Sequence, residues 1–201
     1  MTAHYVALEG IEGAGKSSIA PAVVEGLLAG GHPSILVREP GGTPTGESIR
    51  SILLGQESVL DAWTEALLFA AQRAQLASEV IGPALAEGTS VVGDRSVYSS
   101  LAYQGGARGL GVDIVRTVNR AGLGNVWPSL VVLLAIDPAL GLARQAVPDR
   151  IGAQGVEFQR RVAAVYETLA ATEPERFILV DAARAHEDVA ARVVEEVLAR
   201  W

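Results

Sequence analysis

One lysine and 15 arginines make up the 16 basic residues of this 201-residue chain. The lysine, Lys16, sits in Gly10-Ile11-Glu12-Gly13-Ala14-Gly15-Lys16-Ser17, a match to G-x-x-x-x-G-K-[ST]. Glycines in such a loop let the backbone curl until successive N–H groups point at one anion, and the helix that follows adds its positive end. Lysine supplies a compact, mobile charge that reaches β- and γ-phosphates, a task a planar guanidinium does not share. The Ser17 hydroxyl is the expected Mg²⁺ ligand, and Ser18 in the same turn joins the phosphate-binding set. An Ala- and Arg-rich coding habit accounts for the scarcity of lysine but not for the neighbours of the one that remains. The chemistry is nucleotide phosphate binding.

A phosphate loop serves GTPases, motor ATPases and small-molecule kinases alike, so other residues must choose among them. A guanine-reading Asn-Lys-x-Asp needs a second lysine, which the chain lacks. A large motor ATPase needs more chain. Three arginine-bearing segments remain: Arg38-Glu39-Pro40-Gly41-Gly42-Thr43, Asp94-Arg95, and Arg144 with Arg150 around residues 145–149. Asp94 follows a predicted strand, where an acid lies close to a bound Mg²⁺. Arg95 directly after it suits a second anion, because guanidinium forks bind phosphate oxygens bidentately. An acceptor phosphate is already ionised near neutral pH, so transfer to it needs no general base. The three histidines, His4, His32 and His186, stand apart and are assigned nothing.

Phe69 and Arg73 are four apart and share a helix face. A ring beside a guanidinium suits a nucleobase, though core packing with surface cover explains the same pair. The segment 99–106, which contains Ser100, Tyr103 and Gln104, offers hydroxyls, an amide and a ring, and by itself reads as a polar loop.

These residues need a scaffold. Short apolar runs at 5–9, 34–38, 89–93, 130–136 and 177–180 read as buried strands. Helical patterns cover 16–29, 61–86 with a bend near Gly82-Pro83, 113–121, 156–171 and 186–199. Strand–helix alternation implies an α/β fold, a parallel sheet with helices on both faces, whose ligands bind beyond the carboxyl ends of the strands. Each chemical motif follows a predicted strand or lies in the long connections there. With 49% hydrophobic and 19% charged residues the chain can fill a core, and its length fits a single domain, residues 1–201. A net charge of −7 argues against a broad nucleic-acid footprint. Without cysteine there is no disulfide, thiolate nucleophile or Cys-based zinc site. No apolar run approaches a membrane span and the first residues do not resemble a signal peptide, so the expected location is cytoplasmic.

Taken together, the motifs resemble the bacterial-type thymidylate kinase family of P-loop nucleoside-monophosphate kinases. The resemblance rests on Glu9 through Ser17, Arg38-Glu39-Pro40-Gly41-Gly42-Thr43, residues 67–75, Gly93-Asp94-Arg95, Ala102-Tyr103-Gln104-Gly105-Gly106 and Asp149-Arg150-Ile151, in family order over about residues 6–166. It implies a five-stranded parallel sheet of P-loop NTPase type with a short lid, about residues 144–153. The implied reaction is ATP plus dTMP to ADP plus dTDP with Mg²⁺. Phe69 would stack on thymine, Arg73 would contact its carbonyl, and Ser100 and Gln104 would approach the base edge. Tyr103 would sit beside the sugar. Arg95 would hold the dTMP phosphate, with Arg38 and Arg50 as further candidates. Glu9 and Asp94 would act near Mg²⁺, the sugar hydroxyl or the phosphates. Glu12 would be the phosphate-loop acid, Arg150 the lid's transition-state arginine, and Arg144 a neighbour of adenine. The family also implies a homodimer, for which the apolar helix around Trp63 to Val80 is a candidate surface.

The chain departs from the family at Ser96, Leu101 and Gly152, and its lid is about three residues shorter than in familiar members. Two other readings stay open on the residues alone. One is a kinase of a related nucleoside monophosphate; the other is a catalytically weak ATP-binding module.

Overall fold

Five short apolar runs lie side by side and all parallel in the computed structural model, which describes residues 3–55, 59–145 and 150–200. They are β1 (Tyr5–Glu9), β2 (Ser34–Arg38), β3 (Ser90–Asp94), β4 (Leu130–Ala135) and β5 (Phe177–Asp181), in the order β2-β3-β1-β4-β5. Asp94 pairs with Leu8 on one side and Arg38 on the other, and Glu9 pairs with Leu133. That register gathers Glu9, Arg38 and Asp94 at one rim. The sheet matches the expected architecture, with β3 one residue later than the pattern suggested.

The helices are α1 (Lys16–Ala29), α2 (Pro44–Leu54), α3 (Ala62–Leu76), α4 (Gly82–Ala86), α5 (Val97–Ser100), α6 (Val112–Leu123), α7 (Pro138–Ala143), α8 (Val156–Thr172) and α9 (His186–Leu198). They cover both faces because strand side chains alternate. Val6, Leu8, Val132 and Ile178 meet Val23 and Leu27 of α1 and Val193 of α9. Val131, Leu133 and Phe177 meet Phe69 of α3, Tyr98 of α5 and Val162 of α8 on the other face. Each such aliphatic side chain contributes about 1.5–3 kcal/mol when taken out of water.

Several elements differ from the sequence pattern, among them the short helix α7, which the pattern does not include. The expected helix over 61–86 is α3, a π-helical turn at Ala77–Ile81, and α4. Pro83 has no N–H, and its ring crowds the carbonyl of Glu79, so the irregular turn lies ahead of the proline. The segment expected as a polar loop is helical and buried: α5 followed by a π-helical stretch, Leu101–Ala107. Gly105 and Gly106 hid it. A Cβ on Gly106 would lie 2.2 Å from Val165, so the glycine serves helix contact and not a turn. The unexpected α2 carries ordinary start signals: Thr43 accepts from the Gly46 N–H and Pro44 opens the first turn.

Candidate active site

At the rim where β1, β2 and β3 end lies a cavity of about 830 Å³. The loop before α1 and the first turn of α1 line it from Glu12 through Ile19. Gly13 has φ +74°, and a Cβ there would fall 1.8 Å from the Gly141 carbonyl oxygen of α7, so only glycine fits. Lys16 is buried, with Nζ donating to the carbonyls of Gly10 at 3.0 Å and Ile11 at 2.7 Å. Burial and then the neighbouring Arg95 guanidinium pull its pKa down to about 8. Ser17 Oγ donates to Asp94 Oδ2 at 2.5 Å, joining the first turn of α1 to the end of β3.

Arg95 stands in left-handed backbone, φ +73°, which among the described residues only glycines otherwise adopt. A non-glycine residue there costs on the order of 1–3 kcal/mol, and such strain collects at functional sites. Its Nη2 forms an ion pair with Glu12 Oε1, and its Nη1 lies 3.3 Å from Ser99 Oγ. The Tyr103 ring lies under the guanidinium, 5.3 Å from centroid to Cζ. Burial pushes the Glu12 carboxyl up, but Arg95, Lys16 and Tyr103 outweigh it and leave the pKa lowered.

The same cavity is lined by Phe69, Ser100, Tyr103 and Gln104, together with Arg38 and Arg50. Arg38 pairs with Glu47 at 2.9 Å, and Arg50 donates to the Pro40 carbonyl at 2.7 Å. Near the phosphate loop it is also lined by Arg144, Arg184, His186 and Val189. Arg144 is held by the carbonyls of Ala182 at 2.9 Å and Ala183 at 3.4 Å.

Several candidates stand elsewhere than expected. Glu9 does not line the cavity. Its oxygens accept from Ser96 Oγ, the Ser99 N–H, Ser99 Oγ and Tyr166 Oη at 2.6–3.1 Å, so four donors occupy the lone pairs a metal would need. Arg73 lies 1% exposed behind the wall and does not line it. It donates to Glu39 at 2.6 Å, to Asn119 at 2.6 Å, to Ser100 Oγ at 3.1 Å and to the Ser96 carbonyl at 3.1 Å. It meets the cavity through two residues that do line it, Ser100 and Glu39. Arg150 is not drawn to the phosphate loop. Its Nη2 pairs with buried Glu65 at 2.7 Å and its Nε donates to the Leu53 carbonyl at 2.8 Å. An ionised carboxylate taken out of water needs cationic partners, and Arg150 is one of those that satisfy Glu65. Asp149 and the middle of the expected lid, residues 146–149, lie outside the described residues.

The motifs include Glu39 without giving it a role, and they pass over Glu65, Asn119, Tyr166, Arg184 and His186. Arg184 and His186 follow β5, so the rule that ligands bind beyond strand carboxyl ends already pointed to them. Glu65 is an acid four residues before Phe69 on the same helix face, which marks it as facing inward. Among the described residues there is no group of three or more His, Cys, Asp or Glu able to hold a metal by themselves. Hard oxygens do converge at Ser17 and Asp94, as an ion bound mainly by substrate phosphates requires.

A family model described as thymidylate kinase matches residues 8–193. Similar curated proteins carry the name thymidylate kinase. That of Deinococcus radiodurans is 42% identical over 192 residues, covering 94% of this chain and 93% of the relative. That of Halothermothrix orenii is 42% identical over 203 residues, covering 98% and 97%. That of Bacillus pumilus is 39% identical over 207 residues, covering 98% of each.

Proposed function

The chain belongs to the thymidylate kinase family and is an ATP-dependent kinase of dTMP, and from that premise we propose how its own residues divide the work. The carrying observation is that one cavity is lined by both a phosphate loop and an aromatic–amide pocket, with Arg95 among the lining residues. Two polyanions held in line need fixed positive charge between them, and Lys16 and Arg95 supply it.

On this reading the loop amides from Gly10 to Ser18 and Lys16 cradle the donor phosphates. Lys16 leaves the Gly10 and Ile11 carbonyls to do so. Arg144 flanks the adenine. Ser17 and Asp94 would hold Mg²⁺, which when bound neutralises phosphate charge. Arg95 exchanges Glu12 for the acceptor phosphate, and Arg38 and Arg50 assist there. Phe69 stacks on thymine, and Tyr103 flanks the sugar beside Arg95. Ser100 accepts a hydrogen bond from Arg73, so its own proton is free to be donated to a base carbonyl. Buried Gln104 Oε1 has no partner among the described residues and suits the N3–H donor of thymine. Glu9 positions Ser99 and Tyr166 and does not ligate. The 1–201 chain then acts as one kinase domain with residues 144–153 as its lid.

We also read the exposed residues Trp63 and Leu67 of α3 and Ile114 of α6 as the face of a homodimer. The two helices adjoin where a Cβ on Gly122 would lie 2.7 Å from Ala74. No helix among the described residues is long and apolar enough to cross a membrane, and a reaction drawing on ATP fits the cytoplasm.

The decisive assay is turnover with ATP on a panel of monophosphates. dTMP should be used fastest, dUMP more slowly by about 10–200-fold because one methyl is worth ~1–3 kcal/mol, and dCMP and dGMP least. Preference for any other acceptor would overturn the assignment of the base pocket.

A further inference from the structure

Gln104 is 1% exposed, and its amide is not symmetrical in its surroundings. Nε2 donates to Glu65 Oε1 at 2.9 Å, while Oε1 has no partner among the described residues. Glu65 is equally buried and is held from two more sides. Arg108 donates Nε to its Oε1 at 3.2 Å and Nη2 to its Oε2 at 3.1 Å, and Arg150 donates to Oε2 at 2.7 Å. Burial pushes the Glu65 carboxyl up, but the bonds from Gln104, Arg108 and Arg150 outweigh it, so the pKa is lowered and the group stays ionised.

An ionised carboxylate only accepts hydrogen bonds. The NH₂ of Gln104 must therefore face Glu65 and its carbonyl must face away. We propose that Glu65 is a specificity-determining positioning residue: by fixing the Gln104 amide it presents an acceptor to the base and so selects pyrimidine-2,4-diones over cytosine. Thymine and uracil carry a donor at N3, whereas cytosine carries an acceptor there. An amide free to turn over would serve either base. This inference rests on the reading that Gln104 meets the acceptor base.

The test compares kcat/KM for dUMP and dCMP, a pair matched in lacking the methyl, in the wild-type protein and in Glu65→Gln. A glutamine at 65 offers both a donor and an acceptor to Gln104, so the amide loses its preference. The arginines it leaves behind are 20% and 12% exposed, so water can replace the lost charge. The dUMP-to-dCMP ratio should fall at least about tenfold, mainly through KM, while the dTMP-to-dUMP ratio stays within about twofold. An unchanged dUMP-to-dCMP ratio, or an equal loss on every acceptor, overturns the proposal. Glu65→Asp keeps the charge between the arginines but withdraws it by one methylene from Gln104. If Glu65→Gln does not fold, this variant should lower the same ratio, and an unchanged ratio would overturn the proposal. Two outcomes overturn the underlying reading instead: wild-type protein that does not prefer dTMP, or Gln104→Leu that leaves the dUMP-to-dCMP ratio unaltered.

Discussion

Arg95 and Glu12 form an ion pair on the cavity wall, each side chain 16% exposed. The left-handed backbone at Arg95 turns its guanidinium back over the phosphate loop, toward the loop's own acid. A guanidinium so placed can trade a carboxylate for a phosphate without crossing the site.

Arg95→Ala should therefore raise KM for dTMP at least about tenfold and lower kcat about 10²–10³-fold, with KM for ATP little changed. Steady-state kinetics with each substrate varied would show the split. Unaltered dTMP kinetics would remove Arg95 from the acceptor phosphate.

The lowered pKa of Lys16 sets a pH limit. The loop keeps its ammonium below about 8 and loses it above. Because kcat/KM reports the free enzyme, its value for ATP should bend downward near pH 8 and fall about tenfold per unit beyond, while kcat bends later because bound phosphates favour the ammonium. A profile flat to pH 9.5 would contradict this. Lys16→Ala should abolish ATP binding and turnover together.

Chelation of divalent ions should stop turnover. Asp94→Asn, which keeps the shape and removes a hard anionic ligand beside Ser17, should raise the Mg²⁺ concentration for half-maximal rate by about 10–100-fold. Titration of activity with Mg²⁺ decides this, and an unshifted midpoint would place the ion elsewhere.

Arg73 and Glu39 are both buried, with a 2.6 Å contact. Burial raises the Glu39 pKa, and Arg73 acts against that rise. Arg73→Met should destabilise the fold by about 3–5 kcal/mol, since it strands a buried carboxylate. Adding Glu39→Gln should recover part of the loss. Chemical denaturation measures both, and a single variant as stable as the wild type would show that the pair contributes nothing net.

Leu67→Glu, on the exposed face of α3, should convert the proposed dimer into a monomer by light scattering, with the melting temperature of the monomer measured as a control. A dimer that persists would move the interface off α3 and α6.

Much of the architecture is legible in the chain itself. The β1 strand and α1 coincide with the runs at 5–9 and 16–29, because alternation and a glycine-bounded apolar stretch are local properties. Gly10 through Ser17 announced phosphate binding for the same reason: loop, cation and hydroxyl are consecutive. The helical state of Leu101–Ala107 is hidden, since Gly106 is justified by Val165, nearly 60 positions away, and Gly105 by the close approach of Val112 in α6.

Chemistry carried by contiguous residues was thus legible in the chain, and so was the alternation that makes a parallel sheet. What an isolated side chain does was decided by tertiary contact. Glu9 and Arg73 satisfy their hydrogen-bonding capacity inside the protein, Arg150 is captured by Glu65, and Gln104 acquires a direction from a carboxylate 39 residues earlier. The reason is physical: a buried polar group takes whichever partner the fold brings within about 3 Å, and that partner is chosen by how the elements meet, not by order along the chain.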